Sequence, residues 1–259
     1  MLNLPESILL GIVQGITEWL PVSSSGHLVL AQKFIGIDVP VAFDIWLHLA
    51  TLLVIFLFFW QDIKKISNAA LKWQTKTAEF KTAIYMITAT IATAIVVFPF
   101  KNLFERAFSN LPAVAFGFLA TGMLLLLSGR RQGNKKINSQ SAILIGIAQG
   151  LAFLPGISRS GSTISTALLL KTKKLEAFKF SFLIALPAIL GAFVLKIPEL
   201  AGSGIPAATM AAGFIAAFLA SLVSLAALRR ILLKNKLHYF AYYCLIIAAL
   251  TLITHFSKI

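Results

Sequence analysis

The chain has 259 residues, of which 58% are hydrophobic and only 12% charged, with a mean hydropathy of +0.88. A soluble domain carries about a quarter charged residues, so water is excluded as the main solvent and a lipid bilayer is expected in its place. The net charge of +14 sits on lysines and arginines strung between apolar runs, which is the pattern of membrane topology; nucleic acid is therefore not an expected partner.

The first twenty residues lack a basic start, carry Glu6 and Glu18, and run on into Pro21 and a serine cluster. They are expected to belong to the fold and not to a cleaved leader. Two short helices follow from the pattern, 6–20 and 25–36, broken at Leu20-Pro21. Neither reaches the roughly 20 residues that cross a bilayer. Paired about the break, they predict a re-entrant hairpin, tolerated only where its exposed backbone is buried in protein or lines a cavity. Three full spans follow at 41–60, 82–100 and 112–128, the first carrying Asp44, His48 and Thr51. A second broken pair occupies 141–154 and 160–171 about Leu154-Pro155-Gly156, and three more spans lie at 176–196, 206–228 and 238–256. The last contains the single cysteine, Cys244, which reads as packing. The fold class is therefore all-α: a polytopic membrane protein with six full spans and two re-entrant hairpins.

Basic residues orient the chain. Lys64, Lys65, Lys72, Lys76 and Lys81 fall in one connection; Arg130, Arg131, Lys135 and Lys136 in a second; Lys171, Lys173 and Lys174 in a third; Arg229, Arg230, Lys234 and Lys236 in a fourth. Lys33, Lys101, Arg106, Lys196 and Lys258 lie opposite. Both termini are expected outside, with the four basic connections in the cytoplasm.

A shift of 135 residues aligns Ile8, Leu9, Gly11, Ile12, Gln14 and Gly15 with Ile143, Leu144, Gly146, Ile147, Gln149 and Gly150, and Ser23, Ser25 and Gly26 with Ser158, Ser160 and Gly161. The single membrane domain, 1–259, thus reads as two repeats, about 1–128 and 136–259, each a hairpin plus three spans. Because three is odd, the second copy is inverted, and such repeats place their site near the midplane where broken helices meet.

PVSSSGH at 21–27 and PGISRSGST at 155–163 each open the second helix of a hairpin. Free N–H groups and the positive end of a helix dipole make that position an anion site, and two of them facing one another suit a diphosphate. Arg159, a guanidinium inside the membrane, needs an anion: a phosphate, or Glu18 as a structural ion pair. Glu18, four residues after Gln14, is a candidate proton carrier or metal ligand. Ser24 and His27, three residues apart, share a helical face, as a nucleophile and its proton-transfer partner must. Ser23 and Ser25 taken alone read as bonding back to their own helix. His48 reads equally as an outer support of the site or as a satisfied buried histidine. Trp19, Trp46, Trp60 and Trp73 read as interfacial or packing residues. A transporter would use Arg159 and the helix ends just as well; Glu18, Ser24 and His27 are what binding alone does not require.

QGITEWLPVSSSGHL at 14–28 and PGISRSGSTI at 155–164 closely resemble the two signature regions of the undecaprenyl-diphosphatase (BacA/UppP) family, and the resemblance extends along essentially the whole chain. It implies hydrolysis of undecaprenyl diphosphate, a polyprenyl diphosphate lipid, to the monophosphate and inorganic phosphate. That reaction recycles the carrier of cell-wall synthesis at the outer face of the bacterial plasma (inner) membrane, with bacitracin resistance as a consequence. It also implies a divalent cation, Mg²⁺ in the family. Carried over, Glu18, Ser24, His27 and Arg159 are the catalytic residues. Ser23, Ser25, Ser158, Ser160 and Thr163, with Arg159, line the phosphate site, and Glu18 with Gln14 would hold the metal. At position 14 the family has glutamate or glutamine, so here there is no carboxylate pair, and metal contact through substrate phosphates is an equal expectation. The oligomeric state is open, a homodimer being one arrangement the sequence permits.

Overall fold

A computed structural model describes residues 2–129, 131 and 133–257. Arg130 and Lys258, counted above among the basic residues, lie outside the described residues. The described chain is all-α, with eleven helices and a single isolated bridge between Lys135 and Thr172.

The first hairpin is α1 (Leu4–Trp19) and α2 (Ser24–Ile35). Asn3 and Glu6 cap α1 reciprocally, each side chain meeting the other's backbone N–H at 2.9 Å, which satisfies donors that would otherwise be orphaned. The helix stops at the predicted proline break. α3 (Val41–Phe58), α5 (Ala78–Ala107) and α6 (Leu111–Ser128) are long and apolar enough to cross a membrane. Between α3 and α5 lies α4 (Trp60–Leu71), an amphipathic helix that buries Ile66 and Ala69 and exposes Lys64 and Lys65. The second hairpin is α7 (Ser139–Leu151) and α8 (Arg159–Leu169). Three further apolar helices follow: α9 (Lys174–Ala201), α10 (Ala207–Leu233) and α11 (His238–Phe256). Six spans in all make the protein a multi-pass membrane protein.

The expected spans are present, but α5 and α9 run beyond their expected ends at 100 and 196, through Pro99 and through Pro187 and Pro198. A proline inside a membrane helix costs less than in water, because neighbouring helices re-satisfy the freed groups.

α1 packs along α10, and α7 along α5. The reason lies in four glycines. A Cβ on Gly11 would stand 2.3 Å from the Gly213 carbonyl and one on Gly15 2.4 Å from that of Ala217; one on Gly146 would stand 2.3 Å from the Ala89 carbonyl and one on Gly150 2.6 Å from Val96 Cβ. In lipid, where burial of apolar surface gives no drive between helices, small residues four apart let backbones touch and dispersion do the work. Thr93 adds a hydrogen bond to the Gly146 carbonyl at 2.9 Å, and Ser224 one to Gly15 at 2.6 Å. The remaining pairs, α3 with α9 and α6 with α11, complete the bundle. A core of aromatic rings packs within it, Phe182 meeting Trp19 edge to face, stacking on Phe59 and lying tilted against Phe178.

The described parts of the four basic connections gather at one end. Lys179 pairs with Asp62 at 2.6 Å, the backbones of Lys135 and Lys171 bond at 3.0 Å, and Lys174 bonds Asn235. The first hairpin begins and ends at the other end, where Leu2 and Ile37 pack in one cluster with Ile205. Its turn, and that of the second hairpin, reach into the bundle and meet: Ser160 Oγ donates to the Leu20 carbonyl at 3.2 Å.

Candidate active site

Where the two turns meet, α2 and α8 begin. Ser23 caps α2 by accepting the Gly26 N–H at 3.3 Å, and Ser158 caps α8 by accepting that of Gly161 at 3.0 Å. In each case the hydroxyl two residues on, Ser25 or Ser160, lies 3.2 Å from the cap. The two helix starts are thus built alike and bear the same ladder of hydroxyls. Thr121 of α6 fixes the second turn from both sides: it donates to the Gly156 carbonyl at 3.0 Å and accepts the Ser158 N–H at 2.9 Å. Thr163 bonds back to the Arg159 carbonyl at 2.8 Å and meets Ser181 of α9 at 2.5 Å.

Glu18, on the last turn of α1, is the hub. Its Oε1 accepts from Arg159 Nη2 at 2.6 Å. Its Oε2 accepts from Ser24 Oγ at 2.6 Å and Gln14 Nε2 at 3.0 Å, and lies 3.2 Å from His48 Nε2. The carboxylate is almost wholly buried, its side chain 4% exposed. An unpaired charge there would cost several kcal/mol, so four polar partners are what such burial requires. Arg159 is held from below by rings, its guanidinium 5.1 Å from the centre of Trp19 and 5.8 Å from that of Phe182, close enough for cation–π attraction. Trp19 is fully buried and donates its indole N–H to Ser221; it packs under the site and is not interfacial. One guanidinium nitrogen, Arg159 Nη1, is buried without a hydrogen-bond partner, as is the amide oxygen of Gln14.

The geometry brings together Gln14, Glu18, Ser24, His48 and Arg159. His48, expected at most as an outer support, touches the central carboxylate directly, while its Nδ1 lies 2.7 Å from the Asp44 carbonyl. Asp44 is itself buried, its carboxylate accepting from Gln32 at 3.0 Å. The expected pairing of Ser24 with His27 is corrected. The two do share a helical face, but Ser24 Oγ donates to Glu18, and the His27 ring turns to the Ser23 carbonyl and to Tyr243 of α11. Ser23 and Ser25 stand at the helix start as its cap and the cap's neighbour. Tyr243, Thr121 and Gln32 were not singled out by sequence; Tyr243 and Thr121 are polar residues inside apolar runs, a signal shared with many that bond only to their own helix, such as Thr88 and Thr251, and Gln32 stands beside Lys33 at a helix end.

Among the described residues no three His, Cys, Asp or Glu side chains form a ready-made metal cage. Glu18 and the free Gln14 oxygen are a carboxylate and an amide donor, hard oxygens of the kind Mg²⁺ takes while filling the rest of its shell with water and phosphate oxygens. These residues fit a cation shared with a phosphorylated ligand.

Fold and site together define a polytopic membrane protein with a hydroxyl, carboxylate and guanidinium assembled at two buried helix starts. Residues 7–250 match the family described as Bacitracin resistance protein BacA. Relatives named undecaprenyl-diphosphatase include those of Methanosphaera stadtmanae, 36% identical over 98% of each chain, and Syntrophotalea carbinolica, 40% identical over 92% of this chain and 94% of its own. That of Carboxydothermus hydrogenoformans is 39% identical over 97% of each. The chain belongs to the BacA family.

Proposed function

We propose that the protein hydrolyses undecaprenyl diphosphate to the monophosphate and inorganic phosphate, regenerating a lipid carrier for cell-wall synthesis and conferring bacitracin resistance. The observation that carries this is the contact of a serine hydroxyl with a buried carboxylate, 2.6 Å long, beside a guanidinium whose second nitrogen is unpartnered. Binding and transport use the guanidinium; a hydroxyl already donating to a carboxylate is in addition the contact that proton transfer from a nucleophile needs.

Arg159 and the N–H groups opening α2 and α8 bind the diphosphate and stabilise the charge on the transferring phosphoryl group, the main demand of this reaction on a protein. Ser24 Oγ attacks the terminal phosphorus in line, its proton passing to Glu18. The P–O bond to the lipid phosphate breaks, and the monophosphate leaves, taking the proton from Glu18. Water, deprotonated by the same carboxylate, then hydrolyses the phosphoserine and returns Ser24. His48 and Arg159 hold Glu18 in place throughout. Mg²⁺, held by Glu18 and the Gln14 oxygen together with the substrate, would supply neutralisation of phosphate charge. The protein sits in the plasma (inner) membrane, its hairpins re-entrant, its termini outside and its site opening outward, a reading supported by the clustering of basic connections at the end opposite the first hairpin.

The test is phosphate release from undecaprenyl diphosphate by purified protein in detergent, with Mg²⁺ or with EDTA, the lipid products being separated and counted. One phosphate per monophosphate, dependent on the cation, is expected. Protein that binds the lipid and releases no phosphate would leave an anion carrier as the better reading.

A further inference from the structure

Both ring nitrogens of His27 are committed. Nδ1 lies 2.7 Å from the carbonyl oxygen of Ser23, an atom that can only accept, so Nδ1 carries the ring proton. Nε2 is then an acceptor, and it lies 2.7 Å from the hydroxyl of Tyr243, which donates. The Tyr243 ring lies within 7° of parallel to the imidazole with centroids 5.6 Å apart, and Phe118 meets it edge-on at 5.1 Å. The imidazole is fixed on each of these sides.

The carbonyl it holds belongs to a strained residue. Ser23 has φ 66° and ψ 97°, a positive-φ conformation that a residue with a Cβ adopts only where its surroundings impose it. The same carbonyl accepts the His27 backbone N–H at 3.2 Å, and the residue after it is Ser24. The orientation of the Ser23 peptide therefore sets where the Ser24 hydroxyl and the first N–H groups of α2 point.

We infer that Tyr243 and His27 form a positioning relay: the phenol holds the imidazole, the imidazole holds the Ser23 carbonyl, and the strained turn so fixed aims Ser24 at Glu18 and at the phosphate. His27 acts on the reaction through Ser23 and is not its base, a role the carboxylate already in contact with Ser24 fills. The inference rests on the proposed reading that the start of α2 binds the reacting phosphate. It gives α11, which contributes none of the groups assigned to the reaction, a positioning part in it.

The experiment combines kinetics and ¹⁵N NMR of histidine-labelled protein in detergent. The His27 signals, identified by their loss in His27→Gln, are expected to show a protonated Nδ1 and an unprotonated Nε2 in the wild type, and a mixture of tautomers in Tyr243→Phe. In phosphate release, Tyr243→Phe is expected to lose roughly 10-fold in kcat with little change in KM, as misalignment of a nucleophile does. Both Tyr243→Phe and His27→Gln are expected to keep the shape of the wild-type pH–rate profile. A phenol that merely needs a partner in hydrocarbon predicts unchanged kcat in Tyr243→Phe, and that result would overturn the relay. So would loss of one limb of the pH profile in His27→Gln, which marks a proton carrier, or a His27 protonated on Nε2 in the wild type. The NMR result is independent of turnover, so absence of phosphate release from the wild type would count against the proposed function while the relay was still judged by its tautomer.

Discussion

Arg159→Ala is expected to lower phosphate release from the polyprenyl diphosphate by about 1,000-fold or more, the range seen when a charge-stabilising group is removed from phosphoryl or acyl transfer. Two effects combine. The diphosphate loses its forked cationic partner, which raises KM, and the charge gathering in the transition state loses its counter-ion, which lowers kcat. The variant also leaves the 4% exposed Glu18 carboxylate without its 2.6 Å partner, and breaking a buried pair costs about 3–5 kcal/mol of stability. Arg159→Lys separates these contributions. An ammonium preserves the charge beside Glu18 but offers no planar fork, so thermal stability in detergent should recover toward wild type while turnover remains at least about 10-fold impaired. Wild-type kinetics in Arg159→Lys would show that a point charge suffices and that the unpartnered Nη1 contributes nothing.

Glu18→Gln is expected to reduce kcat by about 100- to 10,000-fold, the usual contribution of general acid–base catalysis. The substitution is isosteric, so the site keeps its shape. What changes is chemical: an amide cannot take the Ser24 proton, and its NH₂ cannot accept the hydrogen bonds that both carboxylate oxygens accept from Arg159, Ser24 and Gln14. Freed of its ion pair, Arg159 is available to phosphate, and binding of the diphosphate lipid should hold or tighten while turnover falls. Equal losses in binding and turnover would make Glu18 a structural counter-ion and return proton transfer to another group.

The spans were legible because apolar length in a bilayer is a physical requirement and not a tendency, and both hairpins because Pro21 and Pro155 interrupt runs too short to cross. The helix beyond Pro99 and through Pro198 was not legible, since whether a proline ends a membrane helix depends on the neighbours that receive the freed carbonyls. α4 was missed for a similar reason: its sequence, WQDIKKISNAAL, carries the charge of a connection, and its Ile66 and Ala69 face has meaning only against the core it covers. In the site, Glu18 and Arg159 stood out as charges that hydrocarbon does not forgive, and Glu18 was one of the two anions, with a phosphate, that the sequence offered Arg159. His48 could not be ranked, because its contact with Glu18 depends on how α3 lies against α1. The contacts of His27 were hidden for the same reason. Helical spacing correctly put it beside Ser24, but where a ring points is decided by what it meets, and Tyr243 is 216 residues away.

Whether Ser24 is the nucleophile, with Glu18 its base and Arg159 the grip, is decided by Ser24→Ala, with affinity for undecaprenyl diphosphate and phosphate release measured on the same preparation. Near-wild-type affinity with turnover almost abolished is expected. A Ser24→Ala protein that binds the lipid and hydrolyses it at close to the wild-type rate would contradict it, and would make water the direct attacker.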